Sequence, residues 1–158
     1  MSERLTIFIV DDDPGHCELL KRNFRRVGIS NEILVVHDGD DALDFVFCRG
    51  AYKDRARNGE LLILLDVNMP GRLRGPDVLR AIKADPATKL IPVIMLTTTD
   101  DPREVNWCYE LGCSVYITKP VDSAKFVEAI QRLGLLLAVV RLPSEGTRLS
   151  IENNGSSP

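Results

Sequence analysis

Five times along this chain a short β-rich apolar run gives way to turn residues and then to a segment with helical spacing, and this repetition limits the possible folds most. The runs are Leu5 to Val10, Glu32 to Val36, Leu61 to Leu65, Ile91 to Leu96 and Ser114 to Ile117. Strands that alternate with helices are joined by crossovers and lie parallel, and continuous apolar strands are buried on both faces. The pattern therefore predicts an α/β fold: a doubly wound five-stranded parallel sheet with helices on both faces.

The intervening segments carry their own start and stop signals. Asp11-Asp12-Asp13-Pro14 suits a helix start with Asp13 as N-cap and Pro14 in the first turn. Cys17, Leu20, Phe24 and Val27 then recur on one side, Lys21, Arg22, Arg25 and Arg26 make the other side basic, and Gly28 is placed to end the helix. His37-Asp38-Gly39-Asp40 leads into a second helix with Ala42, Leu43, Phe45, Val46 and Phe47. A long polar loop fills Arg49 to Glu60, and Gly71-Arg-Leu-Arg-Gly75 precedes a third helix opened by Pro76. Asp101-Pro102 starts a fourth helix that ends at Gly112, and Ser123 to about Val140 forms the last. From Pro143 the chain is rich in Ser, Gly and Asn, so residues 1–142 are expected to form one domain and 143–158 a disordered polar tail.

Composition narrows the function classes. A net charge of -3 and a pI near 5.4 give no general attraction to nucleic acid. The longest apolar run, Leu135 to Val140, is far short of the ~18 residues that suggest a membrane span. The amino terminus shows no basic region followed by an apolar one, which points to the cytoplasm. Cys17, Cys48, Cys108 and Cys113 form no C-x-x-C pair and read as buried or reduced thiols.

In such a sheet the carboxyl ends of neighbouring strands converge on one crevice. Asp11 and Asp12 follow the first strand, Asp66 the third, Thr97 the fourth and Lys119 the fifth. Unit charges ~5 Å apart at an effective dielectric of ~20 repel by roughly 3 kcal/mol, so clustered carboxylates demand a cation or a proton. Hard oxygen ligands favour Mg²⁺ (or Mn²⁺), which takes one or two carboxylates and shares its shell with water and phosphate. Asp66 would then attack a phosphoryl group, Lys119 would neutralise its oxygens, and the Thr97 hydroxyl would bond one of them.

At these residues the chain resembles the receiver domains of two-component response regulators, from Leu5 to about Leu142. The resemblance is carried by the acidic pair, by D-V-N-M-P around Asp66, by the Thr after strand four and by Y-I-T-K-P around strand five. It implies a flavodoxin-like strand order 2-1-3-4-5 and a phosphoacceptor Asp66 loaded from the phospho-His of a sensor histidine kinase. It further implies metal ligation by Asp11, Asp12, Asp66 and the Asn68 carbonyl, and a phosphoryl-contacting Lys119. Thr97 and Tyr116 would form the conformational switch, and Asn68 and Thr99 the positions that set phosphoryl lifetime. One register shift would exchange the roles within Asp11-Asp12-Asp13. The loop G-R-L-R-G departs from the usual x-M-D-G by an extra residue and two arginines.

The long loop after the second helix, H-D-G-D-D-A-L-D-F and the ending Arg-Leu-Pro are similar to the stand-alone regulators of bacterial phytochrome kinases. The last helix carries Leu135, Leu136, Ala138, Val139 and Val140 around its inward stripe, more apolar surface than one sheet face covers, and a homodimer through it is expected. The basic face of the first helix is either solvated or a kinase-docking surface. Two other readings remain: a haloacid-dehalogenase-type phosphatase using Asp11-Asp12-Asp13, and a receiver-like interaction module that is never phosphorylated. His16 and His37, without metal-ligand company, read as surface or turn residues.

Overall fold

A computed structural model describes residues 4–57 and 59–145. Its strands are β1 (Leu5–Val10), β2 (Ile33–Val36), β3 (Glu60–Leu65), β4 (Val93–Thr97) and β5 (Val115–Thr118). Its helices are α1 (Pro14–Arg26), α2 (Gly39–Val46), α3 (Gly75–Ala84), α4 (Pro102–Leu111) and α5 (Ser123–Leu137), with a 3-10 turn at Gly50–Tyr52. All neighbouring strands pair in parallel, in the order β2-β1-β3-β4-β5.

Alternation along the strands divides the core in two. Phe8, Val10, Leu61, Ile63, Leu65, Val93 and Met95 face α2, α3 and α4, whereas Ile7, Ile9, Leu62, Leu64, Ile94 and Leu96 face α1 and α5. Both sets are essentially solvent-free, which is why these strands read as unbroken apolar runs rather than as alternating ones.

Helix ends follow the sequence signals. Asp13 accepts from the N–H groups of Gly15 and His16, and Asp38 accepts from Asp41 N–H. Gly112 closes α4 in the left-handed region, with φ 106. Several strand ends shift by one residue from expectation, and two boundaries shift by more. β4 begins at Val93 because Pro92 has no N–H for the ladder, and α5 stops at Leu137, short of Val140. Arg25, expected on a free basic face, instead donates from Nη1 to the carbonyls of Ile29 and Asn31, each at 2.7 Å, and ties the α1–β2 connection.

The polar tail expected from Pro143 lies, from residue 146 onward, outside the described residues. Ser144 forms an antiparallel bridge with Glu60, and Glu145 N–H donates to Gly59 O at 2.6 Å. The Glu145 carboxylate is buried against Arg55, which grips it with two hydrogen bonds of 3.1 and 3.0 Å while lying over the Phe45 ring.

Candidate functional site

Strand register assembles the site. Val10 of β1 pairs with Leu65 of β3, so the next residues, Asp11 and Asp66, leave the sheet side by side, and Asp66 N–H donates to Val10 O at 2.9 Å. The chain runs from β1 outward to β2 on one side and returns to β3 on the other, so this is also the point where strand order reverses. On the far side Thr97 pairs with Thr118, and Lys119 N–H bonds Thr97 O at 2.6 Å. Lys119 therefore arrives beside the two carboxylates.

Lys119 is 3 % exposed and its ammonium is fully engaged. Nζ lies 2.6 Å from Asp11 Oδ2, 3.4 Å from Asp66 Oδ2 and 3.0 Å from His16 Nδ1. An ammonium has donors only, so the His16 nitrogen facing it is the acceptor. The histidine ring also packs edge-on against Phe126. His16 is thus more than the surface residue expected from the sequence, whereas His37 is the exposed turn residue expected, its Nδ1 2.9 Å from the Asp11 carbonyl. The signal for His16 was its place three residues after the N-cap, in the first turn of a helix that begins at the crevice.

Asp11 is buried and its Oδ1 accepts from Asp13 N–H, whereas Asp12 is exposed. Carboxylate oxygens of Asp11, Asp12 and Asp66 all lie within 4.8 Å of one another. With one ammonium among three carboxylates, a divalent cation would complete the charge balance, and the oxygen-only donor set suits Mg²⁺ or Mn²⁺. Asp13 is used as the α1 cap.

Burial raises the pKa of Asp66 above the ordinary carboxylate value, and the neighbouring Asp11 charge adds to the rise. Lys119, a hydrogen bond from the Thr97 side chain and the Asn68 N–H oppose it. Thr97 is completely buried, and Tyr116 Oη donates to the Thr99 carbonyl at 2.6 Å. Burial pushes the Tyr116 phenol up to about 12, so it stays a donor. Asn68 Nδ2 donates to Thr99 Oγ1 at 2.6 Å, joining the loops after β3 and β4.

The profile of the family described as "Response regulator receiver domain" matches residues 7–131. Over 141 residues the chain is 34% identical to the response regulator Rcp1 of Synechocystis sp., a match that covers 87% of this chain and 92% of Rcp1. A receiver domain from Rhodospirillum rubrum superposes with a TM-score of 0.82 at 43% identity, covering 90% of this chain and 99% of the other. The Mn²⁺-bound form of Rcp1 gives 0.81 at 32% identity, with coverages of 88% and 99%. The phosphorylated cyanobacterial phytochrome response regulator RcpA also gives 0.81, at 31% identity and coverages of 88% and 98%.

Proposed function

Because this chain belongs to the response regulator receiver domain family of two-component systems, we propose that Asp66 is its phosphoacceptor and Lys119 its phosphoryl-contacting cation. The single observation that carries this is the buried ammonium shared between Asp11 and Asp66 at a three-carboxylate cluster. A sensor histidine kinase, of the phytochrome class by likeness to Rcp1 and RcpA, supplies the phosphoryl group. An Asp66 oxygen bonds to phosphorus while the bond to the kinase imidazole nitrogen breaks, and the electron pair leaves with that nitrogen. Lys119 turns its 3.4 Å donor from Asp66 Oδ2 toward a phosphoryl oxygen, and the Thr97 hydroxyl takes another. Tyr116, held by the Thr99 carbonyl, couples that movement of Thr97 to the exposed side of β5.

Asp11, Asp12, Asp66 and the Asn68 carbonyl would hold Mg²⁺, or Mn²⁺ as in the Rcp1 structure. The ion supplies charge neutralisation at the phosphoryl oxygens. In this reading the chain works in the cytoplasm and catalyses at most its own phosphorylation and dephosphorylation. Its output is read by protein contact, not by nucleic acid. That contact includes a second copy, because Leu135, Leu136 and Val139 on and just beyond α5 remain 60%, 58% and 76% exposed. They adjoin a groove lined by Ile117, Pro120, Leu133 and Leu136. Residues 1–142 are read as the signalling unit.

Incubation with acetyl phosphate and Mg²⁺, followed by intact-mass measurement, tests the assignment. One labile phosphoryl adduct is expected on the wild type and none on Asp66→Asn. An adduct that survives the substitution overturns it, and steady release of phosphate from Asp11-Asp12-Asp13 would mark a phosphatase instead.

A further inference from the structure

The extra residue and two arginines between β3 and α3 have no part in the chemistry described so far. Arg72 pairs with Asp40 in the open, at 2.6 Å. Arg74, immediately before α3, is differently placed. Its Nη2 donates to Asn68 Oδ1 at 3.0 Å and to Glu104 Oε1 of α4 at 3.0 Å. Glu104 is 18% exposed, so the ion pair is partly shielded from water. The Asn68 amide nitrogen donates in turn to Thr99 Oγ1, and the Asn68 backbone N–H to Asp66 Oδ1. Glu104, Arg74, Asn68 and Thr99 thus form one hydrogen-bonded chain linking α4 to both loops at the solvent side of Asp66.

A guanidinium has no acceptor, so Arg74 fixes the sense of the Asn68 carboxamide: oxygen toward Arg74, nitrogen toward Thr99. That choice matters for hydrolysis. A water oxygen must form a bond to phosphorus while the bond from phosphorus to the Asp66 oxygen breaks, its electron pair returning to the carboxylate. One water proton stays on the released phosphate and the other passes to solvent. In-line attack comes from the side opposite the Asp66 oxygen, toward solvent, where Asn68 is exposed. A free carboxamide oxygen there would accept a hydrogen bond from the water and aim its lone pair at phosphorus.

We propose that Arg74 is a positioning residue that prolongs the aspartyl phosphate by holding the Asn68 carboxamide oxygen away from the hydrolytic water. The inference rests on the reading of Asp66 as acceptor. Full-length protein is loaded with acetyl phosphate and Mg²⁺, freed of the donor by desalting into Mg²⁺ buffer, and followed by intact mass as the adduct decays. Arg74→Ala should accelerate decay about fivefold, the effect of one hydrogen bond, and Arg74→Lys, which can still donate to Asn68, should restore much of the lifetime. In an Asn68→Ala background Arg74→Ala should change nothing further, a result that general loosening of the loop or of the start of α3 would not give.

Unchanged or slower decay in Arg74→Ala overturns the proposal. So does an acceleration that persists undiminished in the Asn68→Ala background. A wild type that takes no adduct is a different failure: it removes the reading of Asp66, and this inference with it.

Discussion

Burial makes it harder for Asp66 to ionise in the folded protein than in the unfolded chain. A carboxyl group whose pKa is raised by folding binds its proton more tightly in the native state than in the unfolded chain. Its contribution is therefore fully favourable below the ordinary carboxylate pKa and is lost as pH rises through the raised value. In metal-free buffer Asp66→Asn should melt a few degrees higher than the wild type at pH 7, with the gain shrinking as pH falls through the carboxylate range. Thermal unfolding across pH in EDTA measures this, and a gain that grows toward low pH would contradict it. That Asp66, Asp11 and Lys119 would meet could be read from the sequence because each follows an apolar run, and parallel register turns that shared position into proximity. His16 and Arg74 could not. The contact of His16 with Lys119 depends on how the first turn of α1 meets the end of β5, and that of Arg74 with Asn68 on the path of one loop. No periodicity encodes either.

At the scale of elements, the loop that delivers Asp66 must fold back so closely that α3 starts against the backbone of Asp66 itself. A Cβ at Gly75 would collide with the Asp66 carbonyl oxygen and stand 2.8 Å from Val67 Cα, neither of which can yield without moving Asp66. Gly75→Ala should cost about 3 kcal/mol and also slow phosphorylation by acetyl phosphate. Gly134, at the packing of α5 on α1, gives a contrast. Its nearest obstacle is Val27 Cγ2 at 2.5 Å, a side-chain methyl that can rotate, and alanine in a helix interior gains ~1 kcal/mol over glycine. Gly134→Ala should stay within about 1 kcal/mol of wild type with phosphorylation unchanged. Urea denaturation beside acetyl-phosphate kinetics distinguishes the two, and equal losses would show that the loop is not the tighter constraint. Element identities were legible from apolar runs and caps. Element ends were less so, because Pro92 and the exposed end of α5 answer to ladder bonds and packing rather than to composition.

For the molecule as a whole, both sheet faces are covered, whereas the outer side of α5 and the residues just after it leave Leu135, Leu136 and Val139 in water. If a second copy covers it, burying a leucine on each partner contributes ~1.5 to 3 kcal/mol per side chain. The double change Leu135→Asp and Leu136→Asp should then weaken self-association by on the order of a hundredfold or more, while leaving the adduct on Asp66 intact. Sedimentation of wild type and variant at tens of micromolar, with and without a phosphoryl analogue, is the measurement, and a wild type that is monomeric in both conditions rules the dimer out. The order of the sheet was within reach of the sequence through resemblance, whereas the return of the chain to β3 after α5 was not. Ser144 and Glu145 are fastened to the start of β3 by a bridge, a backbone hydrogen bond and the Arg55 grip. Asp66 sits past the other end of that strand, and six residues at about 3.3 Å each separate the two ends by roughly 20 Å. A fluorophore or surface anchor joined to the chain at Glu145 would consequently start from the rim opposite Asp66. Tethered in that way, the domain would present Asp66 to the bulk, and phosphotransfer could be followed on an immobilised film without the support shading the site.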